Sequence, residues 1–323
     1  MESIDSIREW APVLIPTMCR YSHFKRLIES LNNCIGAYNT DVYVALDYPL
    51  KESQKEGWSQ IKEYLSTKTF VFKKLVVYER DYNYGLGEKG NMAKLCEDVL
   101  KNYKVYIRSE DDNIFSKNFL IYINKGLQKF KDNDSVISIC GYSFFYNYKF
   151  QDNTFFCNQQ DFNAWGHAGW VDKQKLIENI DYTYFKNKLW DFKALRKVWK
   201  AGPVMFSRFL AYSREKSFKK ADYFYGLYMI LEGKYQIMPR VSKVRNLGWD
   251  SSGVNCNNYP KDIVEKHLNQ PIDESDTFDY IGTGFEFFEE NRKIMRNEDY
   301  NKKYSSNFKN LCRLVALQFG ILK

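Results

Sequence analysis

The chain has 323 residues, 44% of them hydrophobic, enough to bury the core of one large α/β domain or of two joined smaller ones. Its net charge of +8 is scattered, with no basic helix interleaved with aromatic residues. That argues against a nucleic-acid partner and suits an anionic small ligand or an anionic lipid surface. Seven cysteines, odd in number and without C-x-x-C spacing, read as reduced thiols of a cytoplasmic protein and not as a disulfide frame or a zinc site. Residues 1–10 are polar and have neither a signal-peptide nor an anchor pattern.

In chain order, Pro12-Val13-Leu14-Ile15-Pro16 is a first apolar run, and Phe24, Leu27, Ile28 and Leu31 follow at helical spacing. Val42-Tyr43-Val44-Ala45-Leu46 is a second strand ending at Asp47, and Trp58, Ile61 and Leu65 mark a second helix. Residues 70–78 read as a third strand, Asn83-Tyr84-Gly85-Leu86-Gly87 as a turn, and Met92, Leu95, Cys96 and Val99 as a helix. Val105-Tyr106-Ile107 is a fourth strand that runs into Glu110-Asp111-Asp112. Residues 119–130 are helical, and Val136-Ile137-Ser138-Ile139 is a further strand. Continuous apolar strands between amphipathic helices predict an α/β fold, with a mostly parallel sheet covered on both faces. Ligands of such sheets sit outside the carboxyl ends of the strands, where Asp47 and the acidic triplet both fall.

After about residue 150 the pattern changes. Residues 151–170 read as an aromatic loop, 185–212 as a helix broken at Gly202-Pro203, and 221–232 as a helix. Tyr235-Gln236-Ile237-Met238-Pro239 is a strand, and 248–305 is polar and irregular. Phe308, Leu311, Cys312, Val315, Phe319 and Leu322 form a stripe at helical spacing beside Lys309, Arg313 and Lys323. This is either a helix docked on the domain or one lying on the inner face of a membrane.

Three adjacent carboxylates repel one another unless a cation or hydrogen-bond donors offset them. A hard divalent cation, Mn2+ or Mg2+, is the natural partner of carboxylate oxygens. Held by so few protein ligands, it would bind loosely until a diphosphate supplied more oxygens. Arg108 precedes Glu110 by two residues, so strand alternation would put both on one face.

The stretch Ile107-Arg108-Ser109-Glu110-Asp111-Asp112-Asn113-Ile114-Phe115-Ser116-Lys117-Asn118-Phe119 resembles the E-D-D segment of glycosyltransferases with the GT-A fold. The resemblance is to those similar to N-acetylglucosaminyltransferase I and to the bacterial family-2-like enzymes of surface-polysaccharide (capsule or lipopolysaccharide) synthesis. It implies metal-dependent, inverting transfer of a hexosyl or N-acetylhexosaminyl group from a nucleoside-diphosphate sugar to a saccharide or lipid-linked hydroxyl. Asp112 would bind the metal, and Glu110 and Asp111 would face the ribose or the donor sugar. Residues 12–20 resemble the first strand and turn of these enzymes, with Pro16, Thr17 and Arg20 lining the nucleotide site. Asp47 resembles a base-binding position, and Gly87 and Asn91 lie in a stretch like the N-x-G-x-x-x-x-x-N that leads to the triplet. Arg20 or Arg108 would assist departure of the diphosphate.

Residues 162–170 resemble the aromatic acceptor-side segment, which points to Trp165, Gly166 and His167, although His167 stands where Trp is usual. Residues 239–253, with Asn246-Leu247-Gly248, resemble the P-x-x-S-x-x-x-N-x-G segment near the end of the catalytic domain. The chain then divides into a nucleotide-sugar-binding half (1–145), an acceptor-binding and catalytic half (146–260) and a C-terminal extension (261–323). By the same resemblance the general base comes from the second half. Asp222, at a helix start, is the candidate, its other reading being a first-turn acid that stabilises that helix. Asp161, Asp191 and Asp250 are alternatives. His23 and His267 read as surface or capping residues, and His167 as an acceptor contact.

Three rival readings compete with this one. A sugar-1-phosphate nucleotidyltransferase would carry a Gly-rich loop after the first strand, where Pro16-Thr17-Met18-Cys19-Arg20 stands instead. A glycoside hydrolase needs separated carboxylates flanking a bond, not adjacent ones. A non-catalytic sugar-binding protein of the same fold is the third.

Overall fold

The computed structural model describes residues 6–144, 153–159, 161–216, 218–253, 260–284, 306–319 and 321. Strand β1 (Val13–Thr17) buries Val13 and Ile15 on one face and Leu14 on the other. Strand β2 (Asp41–Leu46) repeats this, with Val42, Val44 and Leu46 opposed to Tyr43 and Ala45. Two buried faces are the reason these strands read as unbroken apolar runs. Helices α1 (Tyr21–Asn32) and α2 (Glu52–Thr67) pack on the first face. Strand β3 (Lys74–Glu79) is the edge strand, and α3 (Asn91–Val99) covers the second face through Leu95 and Val99. Strand β4 (Val105–Arg108) pairs parallel with the other side of β1.

The order β3-β2-β1-β4 therefore reverses between β1 and β4. That is the switch point at which an open α/β sheet leaves a crevice. Beyond β4 come β5 (Asn113–Phe115), helix α4 (Phe119–Lys129), β6 (Val136–Cys140), β7 (Phe155–Asn158) and β8 (His167–Trp170). With β9 (Tyr235–Pro239), strands β6, β7 and β8 complete an eight-stranded, mostly parallel sheet, β3-β2-β1-β4-β8-β6-β9-β7. The antiparallel members are β8, between β4 and β6, and the edge strand β7. Strands from either side of residue 145 share this one sheet. Strand β10 (Val244–Asn246) pairs separately with β5.

A second core is helical. Helices α5 (Val171–Glu178), α6 (Tyr182–Asn187), α7 (Phe192–Ala201), α8 (Pro203–Tyr212) and α9 (Asp222–Glu232) gather around Phe185, Phe206, Phe209 and Phe224. The expected break falls between α7 and α8, where Gly202 adopts φ 106° and Pro203 opens the next helix. Helices α10 (Lys261–Leu268) and α11 (Asn307–Gln318) complete the described chain.

Two segments depart from the sequence reading. Within 151–170 the structure has strands β7 and β8, every residue of which is buried. Both are too short to show a period, and cross-strand neighbours decide their state. Within 248–305 lies α10, and residues 270–284 form a strap across α4. Asn118 Nδ2 donates to Asp273 Oδ2 (3.0 Å), Ser275 Oγ (2.8 Å) and the Thr277 carbonyl (2.9 Å). The buried Lys243 ammonium pairs with Asp273, and Phe278 enters the main core. Residues 254–259, with Cys256, and 285–305 lie outside the described residues, as do Leu322 and Lys323. The six described cysteines are free thiols.

Candidate active site at the sheet switch point

Strand β1 ends at Thr17, and the turn after it leads to Arg20, which caps α1 through its carbonyl. Strand β4 ends at Arg108, and the turn after it carries the acidic triplet. Because β1 and β4 are neighbours, the two turns meet. Thr17 Oγ1 donates to Asp111 Oδ2 at 3.1 Å. Arg20 Nη2 donates to Asp111 Oδ1 and, at 2.7 Å, to Asp112 Oδ2. Asn246 Nδ2 donates to Asp112 Oδ1 at 2.6 Å, and the Leu247 amide donates to the Asp112 carbonyl at 2.8 Å.

The loop after β10 is thus tied to the triplet, and its fit requires glycine. A Cβ on Gly248 would lie 2.2 Å from Asp112 Oδ2. Asn246 holds that loop by accepting the Gly248 amide at 2.9 Å. The N-x-G at 246–248 was the sequence signal for this contact, and strand pairing between β10 and β5 brings it there.

These contacts balance charge. Burial acts against the Arg20 cation, but Asp111 and Asp112 outweigh it and hold the guanidinium firmly charged. Burial raises the Asp111 carboxyl, with Arg20 and Thr17 opposing. Arg20 Nη1 is buried and makes no hydrogen bond among the described residues. Such a donor is costly to leave unmade unless a ligand oxygen meets it.

Glu110 and Asp222 complete the arrangement. Each keeps a solvent-exposed face, yet protein surrounds the rest of both carboxyls, as at the lip of a crevice. Burial raises the Glu110 carboxyl, followed by the charges of Asp112, Asp222 and Asp111. Asp222, from the helical second half, is therefore an electrostatic neighbour of the triplet. Ala221 is the N-cap of α9, and Asp222 is its first residue. Burial lifts the Asp222 carboxyl to about 6, and its open face makes that figure an upper one.

The other expected residues lie as follows. Asp47 is buried and accepts from the amides of Tyr48 (3.1 Å), Tyr84 (2.9 Å) and Gly85 (2.9 Å), so it anchors the 83–87 turn. Gly87 stands in that turn at φ 103°. Asn91 is buried, accepts from Arg80 Nε at 3.1 Å and donates to the Ala45 carbonyl at 2.8 Å. Pro16 is within β1. Arg108 lies over the Tyr106 ring at 4.9 Å and 3.6 Å from Glu178. Its strand ends there, so alternation does not carry on to Glu110.

On the acceptor side, Trp165 meets Tyr142 edge-on at 4.7 Å, and Gly166 turns the chain at φ 59°. His167 is buried in β8 beside Arg108, its Nδ1 3.0 Å from the Ala164 carbonyl. Burial, and then Arg108, lower His167 to about 3, so the ring is neutral. Asp191 caps α7 through the amides of Lys193 and Ala194.

His23 and His267 are not the surface or capping residues the sequence suggested. His23 is buried, with Nε2 3.0 Å from Asp250 Oδ2. His267 stacks on Trp249 at 3.8 Å, and burial lowers it to about 4. The partners, Asp250 and Trp249, are far away in sequence, so local pattern gives no sign of them.

The oxygens of the triplet are of the right chemistry for a hard cation. As folded, however, both oxygens of Asp111 and both of Asp112 are engaged, and the cation that the two carboxylates share is Arg20. Among the described residues no group of three His, Cys, Asp or Glu side chains could hold a metal ion.

No family model and no curated protein matches the chain. Among solved structures, it is similar to S. aureus TarS 1–349 in complex with UDP-GlcNAc, with 14% identity, 45% of this chain covered and a TM-score of 0.30. It spans only 38% of that chain. TarS 1–349 alone aligns at 12% identity over 82% of this chain and 67% of that one, with a TM-score of 0.40. The mannosyltransferase PcManGT from Pyrobaculum calidifontis, in complex with GDP-Man and Mn2+, aligns at 10% identity over 69% of each chain, with a TM-score of 0.39.

Proposed function

We propose that this chain is a glycosyltransferase that moves a sugar from a nucleoside-diphosphate donor to a hydroxyl of a saccharide or lipid-linked acceptor, with inversion. One observation carries the reading. At the sheet switch point a partly buried cation with an unused donor, Arg20, is shared by Asp111 and Asp112 of the acidic triplet, and the charge of a second-half carboxylate, Asp222, bears on Glu110. Thr17, Arg20 and Asp111 hold the donor. Arg20 Nη1 offers a hydrogen bond to a diphosphate oxygen. The acceptor oxygen attacks the anomeric carbon, the bond from that carbon to the diphosphate breaks, and the hydroxyl proton passes to Asp222.

Metal dependence belongs to the same proposal. With Arg20 turned away, Asp111 and Asp112 would hold Mn2+ or Mg2+, which supplies positive charge for the diphosphate. Trp165 and its aromatic neighbours form the acceptor side, and a hexosyl or N-acetylhexosaminyl donor suits the family resemblance.

The test is a panel of nucleoside-diphosphate sugars, read by melting temperature and by nucleotide release, with Mn2+ and with chelator. One donor should raise the melting temperature and be turned over. Asp222→Asn should keep donor binding and lose about 10²- to 10⁴-fold in kcat. If no donor binds, the reading fails. If Asp222→Asn turns over normally, Asp222 is not the base.

A further inference from the structure

Helix α11 docks on α8 and on the turn before α7 through one side only. Leu314 is buried, Asn310 Nδ2 donates to the Pro203 carbonyl at 2.8 Å, and Gln318 Nε2 donates to the Leu189 carbonyl at 2.8 Å. At about 100° per residue the flank beside that docked side carries Phe308, Leu311, Val315 and Phe319. A docked helix ordinarily turns its apolar stripe inward. Here Phe308 is 74% exposed and Phe319 71% exposed. The stripe is continued by another segment, because Phe319 meets the exposed Trp190 ring edge-on at 6.4 Å. Two residues on, Phe192 is 86% exposed. Large exposed aromatic and aliphatic side chains in one connected band mark an interaction surface.

Charge identifies the partner. Residues 182–200 and 306–319 together hold eight Lys and Arg against the single acid Asp191, and Glu232, from α9, pairs with Lys188 at 3.2 Å, which leaves a surplus of six. Lys193, Arg196, Lys309 and Arg313 are all exposed. A second copy of the chain would set this surplus against itself. An anionic bilayer surface would meet both features at once, with aromatic and aliphatic side chains at the headgroup boundary and cations on the lipid phosphates. No helix among the described residues is long and apolar enough to cross a membrane, so the contact lies in the interface plane.

We infer that the outward face of α11, with Trp190 and Phe192 at the start of α7, is a docking surface for anionic lipid bilayers. The inference does not rest on the chemistry in the crevice. Its test needs no donor sugar and so fails or succeeds separately from the proposed transfer.

The experiment is co-sedimentation of the full chain with phosphatidylcholine vesicles, with and without about 30 mol% phosphatidylglycerol. We expect partitioning at least about tenfold stronger on the anionic vesicles, weakened when salt is raised to about 0.5 M. Trp190→Ser with Phe319→Ser should lower it by about tenfold or more at an unchanged melting temperature, and Lys193→Glu with Arg196→Glu, beside Phe192, should remove the preference for anionic lipid. Should the first pair fold poorly, Phe192→Ser reads the same surface from a side chain that packs on little. The inference is overturned if both vesicle types bind equally or not at all, or if the variants bind like the parent. It is also overturned if sedimentation finds a dimer that Trp190→Ser disperses.

Discussion

Replacing Arg20 by Ala removes the cation that two adjacent carboxylates share. The side chains of Arg20, Asp111 and Asp112 are 20%, 10% and 7% exposed. Removing one partner from a buried ion pair costs about 3–5 kcal/mol, because a charge is left uncompensated. Arg20 is the most exposed of the three, and water entering its space will solvate the carboxylates, so the lower end, about 3 kcal/mol, applies. For a chain longer than about 250 residues, each kcal/mol moves the melting temperature by about 2 °C, which gives a drop of about 6 °C.

The same vacancy exposes oxygens of Asp111 and Asp112 to a metal. In Arg20→Ala, Mn2+ at about a hundred times its Kd should therefore return about 2.7 kcal/mol, whereas the parent should respond weakly without donor. The assay is a thermal melt at pH 7 of parent, Arg20→Ala, Asp111→Asn and the double variant, each with Mn2+ and with chelator. The double variant should lose less than the sum of the single ones, since the two residues contact each other. A melting temperature for Arg20→Ala within about 1 °C of the parent would refute the ion-pair argument. Equal Mn2+ responses in both proteins would refute the claim that Arg20 holds the cation position.

Other predictions follow from the same contacts. Burial raises Asp222 above its ordinary 3.8, to about 6 at most, so its basic form is lost as pH falls through that range; kcat should fall about tenfold per pH unit on the acid side of it, in a pH–rate profile with saturating donor. Burial alone would raise Asp273, but the Lys243 ammonium, the Ser275 amide and Asn118 together hold it at about 2 against an ordinary 3.8. A depressed carboxyl stabilises the fold above its ordinary value, and that contribution disappears as pH falls from 3.8 through 2. Urea unfolding across that window should find the parent losing stability more steeply than Lys243→Ala, which starts about 3 kcal/mol lower. Gly248→Ala drives a Cβ to 2.2 Å from Asp112 Oδ2; it should cost about 1–3 kcal/mol in a melt and displace the Asn246 contact.

Much of the first half was legible before folding. Strands β1, β2 and β4 are buried on both faces, which leaves an unbroken apolar run in the sequence, and helices such as α1 leave a 3.6-residue period. Local patterns of this kind carry the α/β class and place the triplet at a strand end. Strands β7 and β8 had no such mark, because four residues are too few to show a period and are specified by cross-strand contacts, with β9 for β7 and with β4 and β6 for β8.

The pairing within the site was likewise decided only by the tertiary structure. Composition around Glu110, Asp111 and Asp112 called for a cation, and an isolated stretch of chain cannot name which one. Parallel pairing of β1 with β4 delivers Arg20 from some ninety residues away, and the β5–β10 ladder delivers Asn246 and Gly248. Asp222 was readable as a first-turn acid of α9, but its approach to Glu110 depends on how the helical core seats against the sheet. Charge and periodicity are properties of neighbouring residues in sequence. The company a buried charge keeps is a property of the strand order.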